Sequence, residues 1–194
     1  MTTSEKRKTQ IQSITIGAVL TALVIILQLT GSFIRFGVFS VSLVLVPIVI
    51  GAATCGVGVA TWLGLVFGAT VLLSGDAAPF MSINIFGTVL TVLAKGMLCG
   101  LVSGLVYKAF KRKTYLAVMT SAFICPVVNT GVFLLGCAVF FLDGIAPWGV
   151  DAGYNNVVAY MFLGLAGGNF IFELITNLIL GPAIVTLLKT FKRQ

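Results

Sequence analysis

Long apolar runs, parted by short polar punctuation, make up almost the whole chain. After ten largely polar and basic residues, the stretch 11–30 is apolar apart from hydroxyl and amide side chains, and further runs cover 40–53, 59–73, 84–108, 115–142 and 157–181. A helix of roughly 20 apolar residues spans the hydrocarbon core of a bilayer. The pattern therefore predicts an all-α integral membrane protein, a single domain over 1–194 with six transmembrane helices. Turn formers separate the runs: Ser74-Gly75-Asp76-Ala77-Ala78-Pro79 predicts one loop, and Asp143 to Asn156, with Pro147 and Gly153, predicts another. An aromatic loop bearing Arg35 covers 31–39, and Gly56 with Gly58 suggests a turn in 54–58. Pro47 and Pro126 predict kinks, and Pro182 a bend after the sixth run.

Composition removes the soluble alternative. Of 194 residues, 59% are hydrophobic and 9% charged, against about 25% charged in a soluble domain, so lipid must act as solvent. The length leaves no room for a soluble catalytic domain. The net charge of +7 is not a nucleic-acid stripe, because the cations gather in three groups at the ends of apolar runs: Lys6 to Lys8, Lys108 to Lys113, and Lys189 to Arg193. Cytoplasmic edges of spans carry such clusters, which puts both the N- and C-termini in the cytoplasm. Ten of the 12 Lys and Arg then lie inside, Arg35 lies outside and Lys95 lies within the membrane, while Asp76, Asp143 and Asp151 fall outside. The four cysteines show no Cys-x-x-Cys spacing and read as small buried apolar groups.

Small residues four apart (Ala18 and Ala22, Gly64 and Gly68, Gly96, Gly100 and Gly104) let helices in lipid approach closely. The glycine sets read as packing inside one bundle. The alanine pair on the first helix could equally face another subunit.

Two charges stand inside apolar runs, Lys95 and Glu173. They precede the cytoplasmic Lys108 and Lys189 by about 13 and 16 residues, roughly 20–24 Å at ~1.5 Å per residue, so they share a depth. They either pair with each other or line a polar cavity, since ionisable groups at such depth are functional candidates. Asn84, Asn129, Asn155, Asn156, Asn169 and Asn177 add amides to the second half of the chain. Their bias predicts a cavity between the fourth, fifth and sixth helices, with Arg35 in position to cap it from outside. One Lys, one loop Arg and several amides suit a small polar solute bearing a carboxylate; a neutral or cationic one becomes as good a match if Glu173 neutralises Lys95.

Much chemistry is absent. There is no histidine for proton transfer or metal ligation, no P-loop, no Gly-x-Ser-x-Gly elbow and no pair of carboxylates at one membrane depth. No catalytic residue and no metal site is assigned, and the chain does not read as an enzyme.

The six spans, the Ala18-x-x-x-Ala22 stripe and the polar second half resemble the substrate-binding (S) components of energy-coupling factor (ECF) vitamin transporters. The runs Val44-Leu45-Val46-Pro47-Ile48-Val49-Ile50-Gly51-Ala52, Gly64-Leu65-Val66-Phe67-Gly68, Lys95-Gly96 and Cys125-Pro126-Val127-Val128-Asn129-Thr130-Gly131 are similar to its pantothenate-type or unassigned branch. The resemblance implies a multi-pass protein of a prokaryotic plasma membrane that captures a vitamin from outside. Its partners would be a transmembrane coupling subunit and two ATPases that use ATP, with no cofactor in this chain and no nucleic acid. It implies Ala18 and Ala22 as the docking pair, Phe33 to Phe36 as part of a lid, and Asn84, Lys95, Asn129, Asn169 and Glu173, with Arg35, as solute-binding groups. The rival reading is an autonomous secondary transporter or channel, which would favour inverted three-helix repeats; residues 11–74 and 82–181 show no convincing match.

Overall fold

The computed structural model describes residues 3–31, 35–36, 39–40 and 43–191. Helix α1 (Thr3–Gly31) is followed by a short antiparallel ladder, β1 (Arg35–Phe36) and β2 (Phe39–Ser40), with Arg35 opposite Ser40. Helices α2 (Leu45–Thr54) and α3 (Val57–Leu73) come next. The turn between them falls at Cys55 and Gly56, where φ is +90° and a side chain would be strained. After the single turn α4 (Ala78–Met81) come α5 (Ile85–Phe110) and α6 (Thr114–Gly136). A π-helical segment, Cys137–Phe141, leads into α7 (Leu142–Asp151). Finally α8 (Val157–Ala159) runs through a second π segment, Tyr160–Gly167, into α9 (Gly168–Phe191).

Four stretches are long and apolar enough to cross a membrane: Gln10–Gly31, Ile85–Phe110, Thr114–Asp151 and Val157–Thr190. Helices α2 and α3 are apolar but shorter. Val44, Leu45, Ile48 and Val49, at the start of α2 and along it, are fully buried, so this helix meets protein more than lipid. Large apolar side chains such as Leu73, Phe86, Val139, Leu163 and Ile179 face outward, as expected where the solvent is hydrocarbon.

The bundle is held where glycines let backbones touch. A Cβ on Gly64 would strike the carbonyl of Gly96, and one on Gly100 would strike that of Ala60; α3 and α5 therefore pack backbone to backbone. Between α5 and α6, the buried Ser103 and Ser121 hydroxyls lie 2.7 Å apart, and Ser121 Oγ also donates to the Ser103 carbonyl at 2.9 Å. Helix α1 turns Leu20, Val24 and Gln28 inward at four-residue spacing, while Ala18 and Ala22 face out of the bundle.

Two expectations change. The fifth apolar stretch does not end at residue 142: the backbone kinks at Phe141 (φ −127°, ψ 0°) and continues helically to Asp151, where the turn formers had predicted a loop. Burial explains this. Ile145 is fully buried, and the Trp148 ring meets Phe80 edge-on at 5.6 Å, contacts that outweigh the weak local helix propensity of Gly144 and Pro147. Likewise Pro182 sits inside α9 rather than ending it.

Candidate functional site

One cavity of about 80 Å³ lies inside the bundle, room for several waters where one needs roughly 10–15 Å³. Its wall draws on α1, α3, the turn before α4, α4 itself, α5, α6, the first π segment and α9. It is thus broader than the three-helix site expected from the distribution of asparagines. Its polar lining comprises Gln28 with Asp76, and Lys95, Asn169 and Glu173; the rings of Phe67, Phe80 and Phe133 supply much of the apolar wall. Thr88, Thr91 and Lys95 follow one another along α5, so Lys95 stands about 15 Å from the start of that helix at ~1.5 Å per residue.

Both intramembrane charges reach this cavity, and they do not form an ion pair. Among the described residues no carboxylate oxygen lies within 4.0 Å of Lys95 Nζ. The ammonium instead lies over two aromatic rings, 5.4 Å from the Phe67 centroid and 5.5 Å from that of Phe133. Negative ring faces stabilise a cation by about 0.5–2 kcal/mol. Glu173 is 1% exposed and is held by amides. Asn169 Nδ2 donates to its Oε1 at 3.0 Å, and Asn129 Nδ2 donates to its Oε2 at 3.2 Å. Asn177 Nδ2 donates to the Glu173 carbonyl at 2.8 Å, so three asparagines fix one turn of α9.

The remaining sequence expectations divide. Asn169 lines the cavity; Asn129 stands behind Glu173 and orients it. Asn84 does not reach the cavity. It is the N-cap of α5, its Oδ1 accepting from the Gly87 amide at 2.8 Å, which fixes the side chain at the start of that helix. Asn156 similarly caps α8 through the Val158 amide. The Arg35 side chain and the lid residues Phe33 and Ile34 lie outside the described residues.

Among the cavity residues that the sequence reading missed are Gln28, Asp76 and Phe80. Gln28 Nε2 donates to Asp76 Oδ2 at 2.8 Å, and Ser74 Oγ lies 3.1 Å from the same oxygen, which ties the end of α1 to the turn after α3. Phe80, 7% exposed, lines the cavity with its ring edge-on to Phe133, Phe141 and Trp148 at 5.3–5.6 Å. A signal for Gln28 existed: it continues the Leu20, Val24 spacing, the inward stripe of α1. Asp76 and Phe80 carried none, because a turn acid and a turn aromatic look alike whether or not they fold back.

The Thr91 hydroxyl adds a buried polar atom that accepts or donates no hydrogen bond among the described residues. It sits where a Cβ on Gly136 would collide with it. The cavity can therefore offer an ammonium, a carboxylate with spare lone pairs, an amide and hydroxyls to a molecule enclosed by aromatic walls. The family model for the ECF transporter substrate-specific component matches residues 12–188. No curated protein and no solved structure matches the chain.

Proposed function

The chain belongs to the substrate-specific components of ECF transporters, and we propose that the cavity holding Lys95 and Glu173 is the chamber in which it carries its solute. This is a family of membrane-embedded transporter subunits and not of enzymes. The observation behind the proposal is that both intramembrane charges and Asn169 line one cavity, although burying such groups in lipid is costly unless they serve a site. Lys95, Asn169 and Glu173 contact the solute; Asn129 positions Glu173, and Arg35 belongs to the segment that closes over the chamber. The solute is a vitamin or similar micronutrient with a carboxylate for Lys95, a group that pantothenate possesses.

On this reading all six apolar segments are embedded in a prokaryotic cell membrane and both termini lie on its cytoplasmic side, an orientation that the cation clusters support. Ala18 and Ala22 dock on the transmembrane coupling subunit, and two partner ATPases supply the energy. Native mass spectrometry of the purified chain should find one small molecule per chain, and proteoliposomes should accumulate it only when the coupling module and ATP are present. Accumulation driven by an ion gradient, with no ATPase present, would instead establish an autonomous secondary transporter.

A further inference from the structure

We propose, on the premise that this cavity is the solute chamber, that it selects a small zwitterion: an anionic group set against Lys95 and a protonated nitrogen set against Glu173. The observation is the separation of the two charges. Opposite charges lining one low-dielectric cavity gain most by direct contact, yet no carboxylate oxygen lies within 4.0 Å of Lys95 Nζ among the described residues. Each charge has its own support instead. The ammonium lies over the rings of Phe67 and Phe133, and the carboxylate accepts one amide bond on each oxygen, from Asn169 and Asn129.

Neither support exhausts its group. A carboxylate has about four acceptor sites and an ammonium three donors; two acceptor sites on Glu173 are taken, and the rings use none of the N–H donors of Lys95 directionally. The cavity thus offers a positive and a negative pole held a short distance apart. A monoanion would gain from Lys95 and lose to Glu173 at similar range, and a monocation would meet the reverse. Only a molecule carrying both signs gains from both. Asp76, the third charged group of the wall, accepts from Gln28 and Ser74; its negative charge adds to that of Glu173, and Lys95 is the one cation among the described residues of the wall. Pantothenate supplies the acid but no protonated nitrogen, so a zwitterion of similar size should outcompete it.

The test uses the full chain in lipid nanodiscs incubated with the small-molecule fraction of yeast extract. The captured compound is identified by mass spectrometry after washing, and capture is repeated with Lys95→Met and Glu173→Gln variants whose melting is recorded. Expected is one compound per chain that bears both an acid and a basic nitrogen, with capture reduced roughly tenfold or more in each variant. A captured compound with one kind of charge, or none, overturns the inference while leaving the binding-subunit reading intact. So does a folded Glu173→Gln variant that captures as the unmodified chain does. A chain that stays empty overturns the binding-subunit reading and the inference with it. The charge type of the compound held by the unmodified chain decides the matter even where a variant fails to fold.

Discussion

Lys95 and Asn84 lie about three helical turns apart on the same helix, and the structure gives them opposite kinds of work. The Lys95 ammonium rests on two rings beside the cavity, whereas the Asn84 side chain closes the first turn of α5. Replacing Lys95 by Ala should lower solute affinity at least tenfold, about 1.4 kcal/mol, with thermal unfolding little changed, as titration calorimetry and melting curves on the same preparation would show. Collapse of stability with normal binding by the surviving protein would make Lys95 a structural residue. Asn84→Ala should do the converse, costing about 1 kcal/mol of stability, the usual worth of an N-cap, with affinity unchanged. Lys95 and Glu173 were legible in the sequence because a charge inside an apolar run has few reasons to be there. Asn84 was not, because an amide at the start of an apolar run serves equally as a cap or a ligand, and only its contact with Gly87 decides. The separation of Lys95 from Glu173 was also beyond reach: equal depth permits a pair, and only the rings of Phe67 and Phe133 and the amides of Asn129 and Asn169 show what each group holds instead.

At the level of elements, the glycine spacing carried the most reliable information. Gly64, Gly96 and Gly100 meet neighbouring backbone so closely that no side chain fits, and the closely packed α3–α5 pair in turn supplies the cavity with Phe67 from one helix and Lys95 from the other. Gly96→Leu should therefore separate these helices. Overpacking against backbone costs at least the 1–3 kcal/mol typical of oversized core substitutions, and the variant should lose its monodisperse peak in size-exclusion chromatography along with solute binding. A Gly58→Ala control, at a position with open space around it, should behave like the unmodified chain in the same experiment. The same scale shows where local signals misled. Gly144, Pro147 and Asp151 read as a loop, yet burial of Ile145 and the contact of Trp148 with Phe80 keep the segment helical. Tertiary contacts decided that element, and nothing adjacent in sequence announces them. The two π segments, Cys137–Phe141 and Tyr160–Gly167, pack in one aromatic cluster with Phe80; a change from i→i+4 to i→i+5 hydrogen bonding leaves no mark in an unbroken apolar run.

Across the whole molecule, helix α1 has two faces, one turned into the bundle and one turned out of it. Its inner face brings Gln28 to the cavity wall and hydrogen-bonds it to Asp76, while Ala18 and Ala22 stand exposed on the outer side amid Ile14, Val19 and Ile26. Small residues on a lipid-facing stripe leave a shallow groove where a second helix can approach closely, and nothing in the described bundle fills it. If that groove is where the coupling subunit docks, widening either alanine must block docking without disturbing the chamber, because both side chains point away from it. Ala18→Trp and Ala22→Trp should each retain solute affinity within about twofold, a difference near 0.4 kcal/mol, yet abolish ATP-dependent uptake in proteoliposomes and co-purification with the coupling module. The two readouts separate the roles of the two faces. Uptake that survives both substitutions would place the docking surface elsewhere on the bundle, and loss of affinity in either would mean that the outer face of α1 is not independent of the chamber its inner face helps to build.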